Sequence, residues 1–149
     1  MNRHGWTLLF HECLIAQMRS LFQAAAKAET HDPDGFEGNA NVKLFRALSR
    51  LILETIPIDP GREEYRQGKT LGETRRHWRR AKIGRRFRLF FRYDSRSKII
   101  VYAWVNDEDT LRSAGGKNDP YTVFQKMLER GNPPGDWAAL VAVSKGNWV

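Results

Sequence analysis

Between residues 78 and 93 the chain reads WRRAKIGRRFRLFFRY: six arginines, one lysine and no acid. Arginine grips phosphate through a planar fork of N–H donors, and lysine does so as a mobile point charge. Rings are interleaved with these cations. Cations that neutralise phosphates, set beside aromatic faces that stack on bases, suit single-stranded nucleic acid. Read this way, Arg79, Arg85, Arg86 and Arg92 contact the phosphate backbone, and Phe90 offers a stacking platform. Trp78 is either a core residue or a wall of the nucleic-acid path.

The charge is local. Residues 62–98 hold fourteen Lys and Arg against four Asp and Glu, while the rest of the chain holds eleven against thirteen. The net charge of +8 and the pI of about 10.0 therefore come from one region. Such a balance favours polyanions without separating RNA, DNA and acidic proteins. Isolated pairs of surface cations are usually no more than solvated. Here like charges would lie across a strand pair, which destabilises a sheet, so an anion that neutralises them is the better explanation.

The elements that must position these residues follow from periodicity. Strands are expected at 78–83, 86–93 and 98–105, with a turn at 94–97. On the second strand Phe87, Leu89, Phe91 and Tyr93 face the core, which turns Arg86, Arg88, Phe90 and Arg92 the other way. On the first, Ala81 and Ile83 suit the core and leave Arg80 and Lys82 opposite. An odd-length turn brings both sets to one face, and a turn at 83–85 would set Lys82 beside Arg86. The third strand, KIIVYAWV, is apolar on both faces and belongs in the centre of the sheet.

Before the sheet, Leu14, Ile15, Met18, Leu21, Phe22 and Ala25 mark one face of a helix over 13–28. A second amphipathic helix runs through Val42, Phe45, Leu48, Leu51 and Ile52 and should stop near Ile56, because Pro57 disfavours helical geometry before it. Residues 29–41 and 58–77 read as loops, as does 106–119. Asp119-Pro120 starts a further helix that ends at Gly131, and Asp136 caps a last turn carrying Trp137 and Leu140.

With 149 residues, 41% of them hydrophobic, the chain has material for one domain with a real core. A single cysteine, Cys13, excludes an internal disulfide and a cysteine-based zinc site. His4, His11, His31 and His77 lack metal-ligand spacing, although His77 lies close enough to the basic strands to be an alternative acid or base. The segment from Asn106 to Asp109 resembles a magnesium site, but acids at the end of a strand are more often turn and cap formers, and a structural role that positions Arg112 is the better reading. The N-terminal apolar run is broken by His11 and Glu12, and no stretch reaches membrane-spanning length, so a cytoplasmic protein with no membrane association is expected.

Four strings carry a resemblance: FRLFFRYDSRSKIIVYAWVNDEDTLR at 87–112, DPYTVFQKMLERGNPPGDW at 119–137, HGWTLLFH at 4–11 and GKTLG at 68–72. Together they resemble the YhaV family of toxins, in the RelE superfamily of bacterial toxin-antitoxin systems, over nearly the whole chain. The resemblance implies a single α+β, RelE-like toxin domain over 1–149, with two N-terminal helices packed on a small antiparallel β-sheet and a C-terminal helix. It implies a metal-independent mRNA endonuclease without cofactors, acting on or near the ribosome through attack by the ribose 2′-hydroxyl. It also implies inhibition by a PrlF-type antitoxin, with which the toxin represses its own operon and binds operator DNA.

By position, Arg80 and Lys82 match the superfamily's basic pair on the strand before the hairpin, and Arg88 matches the arginine of its G-Y-R-L motif. Arg112 matches the arginine after the sheet, and Tyr121 is the nearest match to the C-terminal aromatic. Arginine keeps its proton at neutral pH, so Arg88 and Arg112 are assigned to holding the scissile phosphate. Lys82, set among cations, is the assigned general base toward the 2′-hydroxyl, and Tyr121 orients base or phosphate. The competing classes are a non-catalytic RNA- or DNA-binding module, such as a ribosome-associated factor or repressor subunit, and a domain whose basic face mates with an acidic protein.

Overall fold

The structure is a computed structural model that describes residues 1–106 and 119–148. Its strands in chain order are β1 (Asn2–Arg3), β2 (Trp6–Phe10), β3 (Arg79–Ile83), β4 (Phe87–Asp94) and β5 (Ile99–Val105). They form one sheet in the order β1-β2-β5-β4-β3. An apolar run without alternation has to be covered on both faces, and β5 accordingly lies in the middle, buried from Ile100 to Val105.

The sheet is mixed, which corrects the expectation of an antiparallel one. β2 pairs with β5 in parallel, while β4 is antiparallel to both β5 and β3. The reason lies in the N-terminal apolar run, which is itself a strand: Trp6, Leu8 and Phe10 alternate inward at period two. Two long helices and then the β3–β4 hairpin separate it from β5, and a connection that long permits parallel pairing.

The sheet has helices on both faces. On one side pack α1 (Glu12–His31) and α2 (Ala40–Arg50), against Leu8, Phe10, Leu89, Phe91, Ile100 and Tyr102. His11 caps α1, its Nδ1 accepting from the Cys13 N–H at 3.2 Å. That geometry needs a neutral ring, and burial lowers the pKa of His11 accordingly, against the opposing effect of Glu12.

α2 does not stop before Pro57, as expected, but continues through a π-helical turn (Leu51–Thr55) into the short α3 (Ile56–Ile58). In that wider turn the Leu51 carbonyl accepts from the Ile56 N–H. The next carbonyl, Ile52, would need an N–H at residue 57, where proline has none. The buried Tyr102 hydroxyl supplies it from β5, donating to the Ile52 oxygen at 2.8 Å.

On the other face, α4 (Pro120–Glu129) and α5 (Trp137–Val143) cover Trp78, Phe90, Val101, Ala103 and Trp104 with Phe124, Leu128 and Leu140. Asp119 and Asp136 cap them, accepting from the Thr122 and Ala139 N–H groups at 2.9 and 3.0 Å. A register shift sets Phe90 opposite Trp104 and Phe91 opposite Tyr102, so Ala103 is skipped and both Ala103 and Trp104 face this second layer.

Candidate functional site

The β3–β4 hairpin sets the site. Lys82 lies directly opposite Arg88 and Arg80 opposite Phe90, joined through a turn at residues 84–86 in which Gly84 takes φ +60°. The turn is odd-length, as the alternation requires, but it is placed one residue later than expected, and the partner of Lys82 is Arg88 rather than Arg86. The Arg88 N–H donates to Asn106 Oδ1 at 2.6 Å, on the β5 side. Lys82 and Arg88 are therefore a non-hydrogen-bonded pair, the kind in which backbones come to about 4.5 Å and side chains lie closest.

Asn106 holds this arrangement. It is buried beyond the end of β5, and its Nδ2 donates to the Arg86 carbonyl at 2.8 Å while its Oδ1 takes the Arg88 N–H. One amide thus pins both ends of the segment carrying Arg86 and Arg88. The Arg88 guanidinium is half-buried; one terminal nitrogen donates to the Phe87 carbonyl at 2.8 Å, and Nε is buried with no hydrogen-bond partner among the described residues.

Arg80 ties the hairpin to α4. Its Nε donates to the Tyr121 hydroxyl at 2.8 Å and a terminal nitrogen donates to the Glu64 carbonyl at 2.7 Å. A guanidinium has five N–H donors, so three have no partner among the described residues and can serve an oxyanion. The Tyr121 oxygen accepts from Arg80, which leaves its own hydrogen unspent. Its ring stands edge-on to Phe90 at 5.7 Å, at the end of a stack in which Phe90 lies 4.4 Å from Phe124. Arg80, Lys82, Arg88 and Tyr121 are thereby gathered on one side of the sheet.

Other expected contacts lie elsewhere. Phe90 and Trp78 are fully buried against Phe124, so Phe90 is no stacking platform and Trp78 no wall of an open path. The cause is α4, which covers this part of the face. Arg92 shares the face but is fixed between the Trp78 and Trp137 rings, at 5.4 and 5.2 Å, and donates to the Gly135 carbonyl at 2.8 Å. Desolvation lowers its pKa, against the pull of Asp136. Arg79 points to the opposite face, over the Tyr93 ring at 5.7 Å. Arg85 and Arg86 are exposed on the turn, with Arg86 over the Phe87 ring at 5.8 Å. Arg112 lies outside the described residues.

This cationic hairpin, with a tyrosine and arginine joined beside it, presents N–H and O–H donors of the kind that suit phosphate. Residues 8–145 match the family model of the YhaV toxin, described as a toxin with endonuclease activity, of toxin-antitoxin system. The chain belongs to the YhaV toxin family. It is 41% identical over 139 residues, 92% of this chain and 90% of theirs, to toxin YhaV of Escherichia coli O6:H1 and ribonuclease toxin YhaV of Escherichia coli K12. No solved structure matches.

In this YhaV-family chain, residue patterns give the segment from Asn106 a structural role toward Arg112 but miss the hold of Asn106 on Arg86 and Arg88, and they miss Gln67. Asn106 is a lone amide ending an apolar strand, and that position is the signal of a buried polar clamp. Gln67 carries no such signal. It is buried, donating to the Arg75 and Trp78 carbonyls at 2.8 and 3.2 Å and accepting from the Leu71 N–H at 3.3 Å, and so it folds the GKTLG segment back on itself. His77 sits beside this loop, its pKa lowered by desolvation and then by Arg92, Arg79 and Arg75. Among the described residues no group of three His, Cys, Asp or Glu could hold a metal ion, and no helix is long and apolar enough to cross a membrane.

Proposed function

We propose that the chain is the endoribonuclease toxin of a toxin-antitoxin system, and that Arg80, Lys82, Arg88 and Tyr121 cleave RNA by 2′-hydroxyl attack. The observation that carries this reading is the cross-strand Lys82–Arg88 pair standing beside the Arg80–Tyr121 hydrogen bond. Lys82 takes the proton of the 2′-hydroxyl, and the 2′-oxygen attacks the adjacent phosphorus. The bond from phosphorus to the 5′-oxygen then breaks, leaving a 2′,3′-cyclic phosphate and a 5′-hydroxyl. Arg80 and Arg88 hold the phosphate and the charge that builds on it, Tyr121 donates its unspent hydrogen to it, and the departing oxygen takes its proton from solvent at this exposed edge. The family pattern adds Arg112 to the phosphate-holding groups.

The same family pattern supports the rest: a RelE-like domain acting in the cytoplasm on mRNA at the ribosome, neutralised by a PrlF-type antitoxin and bound to operator DNA only with it. Induced expression of the wild type beside Lys82→Ala and Arg88→Ala tests the reading. Growth arrest and mRNA cleavage by the wild type, both lost in variants that retain the wild-type circular dichroism spectrum, is the expected result. RNA binding without scission, even with translating ribosomes, would instead make the chain a binding module.

A further inference from the structure

A trough runs along the outer edge of β3, between that strand and α2 with its π-helical turn. Two adjoining cavities of about 460 and 540 Å³ form it and share Leu51, Thr55 and Lys82. Its charged lining is cationic except for Glu64. Lys43, Arg46 and Arg50 stand at i, i+3 and i+7, one face of α2, and Arg62 and Lys82 line the facing side. Arg46 is partly engaged, 3.6 Å from Glu37 and over the Phe36 ring, and Arg62 is 3.2 Å from Glu64. Lys43, Arg50 and Lys82 have no ion-pair partner among the described residues. The floor is apolar, with Leu51 and Ile83.

We infer that this trough holds the single-stranded RNA flanking the cleaved bond, with Lys43 and Arg50 contacting phosphates two or more nucleotides away from it. The inference rests on the nuclease reading for what lies at Lys82. Three observations carry it. Lys82 lines the trough from the edge strand β3 while its side chain leaves on the α4 side, so a strand whose 2′-hydroxyl reaches that amine has only to cross the sheet edge to continue into the trough beside α2. Because Lys82 and Arg88 are a non-hydrogen-bonded pair, the Lys82 main-chain N–H points to the outer edge and adds a donor there. A cationic rim over an apolar floor matches a strand that presents phosphates on one side and base faces on the other. These positions escape sequence patterns because α2 lies some 30 residues before the basic hairpin.

The test is binding of RNA with 2′-O-methyl groups throughout, which lacks the nucleophile and cannot be cut. Wild type and the Lys43→Ala, Arg50→Ala double variant are titrated with a long and a short oligonucleotide across a salt series, with folding checked by circular dichroism and melting. For the long RNA, the variant is expected to bind about tenfold more weakly at low salt, with a log–log salt slope smaller by about 1.4, two contacts at about 0.7 each for single strands. Binding of the short RNA should be unchanged. Wild-type affinity and slope on the long RNA would overturn the inference. So would a variant that binds long RNA normally but loses cosedimentation with ribosomes, which assigns the trough to ribosomal RNA, or one that loses only inhibition by the antitoxin, which assigns it to an acidic protein segment. Failure of the nuclease reading shows separately, as unmodified RNA left intact by the wild type.

Discussion

Arg80 Nε donates a 2.8 Å hydrogen bond to the hydroxyl of Tyr121, joining an edge strand to a helix 41 residues further along the chain. The direction of that bond matters. Because the phenol oxygen is the acceptor, its hydrogen stays available to a phosphate, and because among the described residues only two of the Arg80 nitrogens are engaged, at Tyr121 and Glu64, the guanidinium is held in place without being used up.

Tyr121→Phe removes the hydroxyl and keeps the ring against Phe90. The RNA-cleavage rate should fall by about 10²-fold, the order found for losing one donor to a developing charge, with a stability loss of only about 1 kcal/mol for the half-buried hydrogen bond. Single-turnover kinetics beside a urea melt separate the two. An unchanged rate would remove Tyr121 from the chemistry.

Asn106 has no assigned contact with RNA but fixes the Arg86–Arg88 segment through two hydrogen bonds. Asn106→Leu leaves the part-buried Arg88 N–H and Arg86 carbonyl without this partner and should cost about 1–3 kcal/mol. Asn106→Asp keeps the acceptor for Arg88 while setting a carboxylate against the Arg86 carbonyl, and should destabilise at least as much. Urea midpoints of both variants equal to the wild type would show the clamp to be dispensable.

Much of the site is legible in the residues themselves. The alternation of FRLFFRY sets Arg88 apart from Leu89 and Phe91, Asp119-Pro120 announces α4, and the unbroken apolar run of β5 requires cover on both faces. The same cover extends to Phe90, which shares a face with Arg88 and is buried because α4 lies on it. Alternation tells which residues share a face but not how far a helix covers it. Arg92 shows the same limit: it looks like one more free cation until Trp137, 45 residues on, closes over it. The parallel β2 is hidden because the five residues of WTLLF carry a strand period too short to stand out from the helix that follows.

The π-helical turn offers a test of the packing. Tyr102→Phe strips the Ile52 carbonyl of its donor and should cost about 1–3 kcal/mol. Pro57→Ala restores an N–H five residues after Ile52, so in the Pro57→Ala background the same Tyr102→Phe change should cost measurably less. A double-mutant cycle by denaturant melts reads this coupling, and strict additivity would show that the proline does not set the turn.

Two histidines make stability depend on pH. Both His11 and His77 have pKa values lowered from 6.5 in the folded chain, His11 by burial and His77 by desolvation and three arginines. Below 6.5 the unfolded chain takes up protons that the folded chain resists, so the stabilisation is present above 6.5 and is lost as pH falls through the lowered values. His11→Asn keeps an N-cap acceptor but cannot titrate, and should flatten part of that decline. Melting from about pH 7.5 down to about 5 checks it; a wild type that gains stability on acidification through this window would contradict the assignment.

The most direct test is cleavage of one RNA by the purified toxin, beside the same RNA with a single 2′-deoxy substitution at the nucleotide 5′ to the cut. Attack by the 2′-hydroxyl at this hairpin predicts a 2′,3′-cyclic phosphate and a 5′-hydroxyl from the first, no cut at that bond in the second, and no products from folded Lys82→Ala. Cleavage that survives the 2′-deoxy substitution, or products ending in a 5′-phosphate, would contradict it.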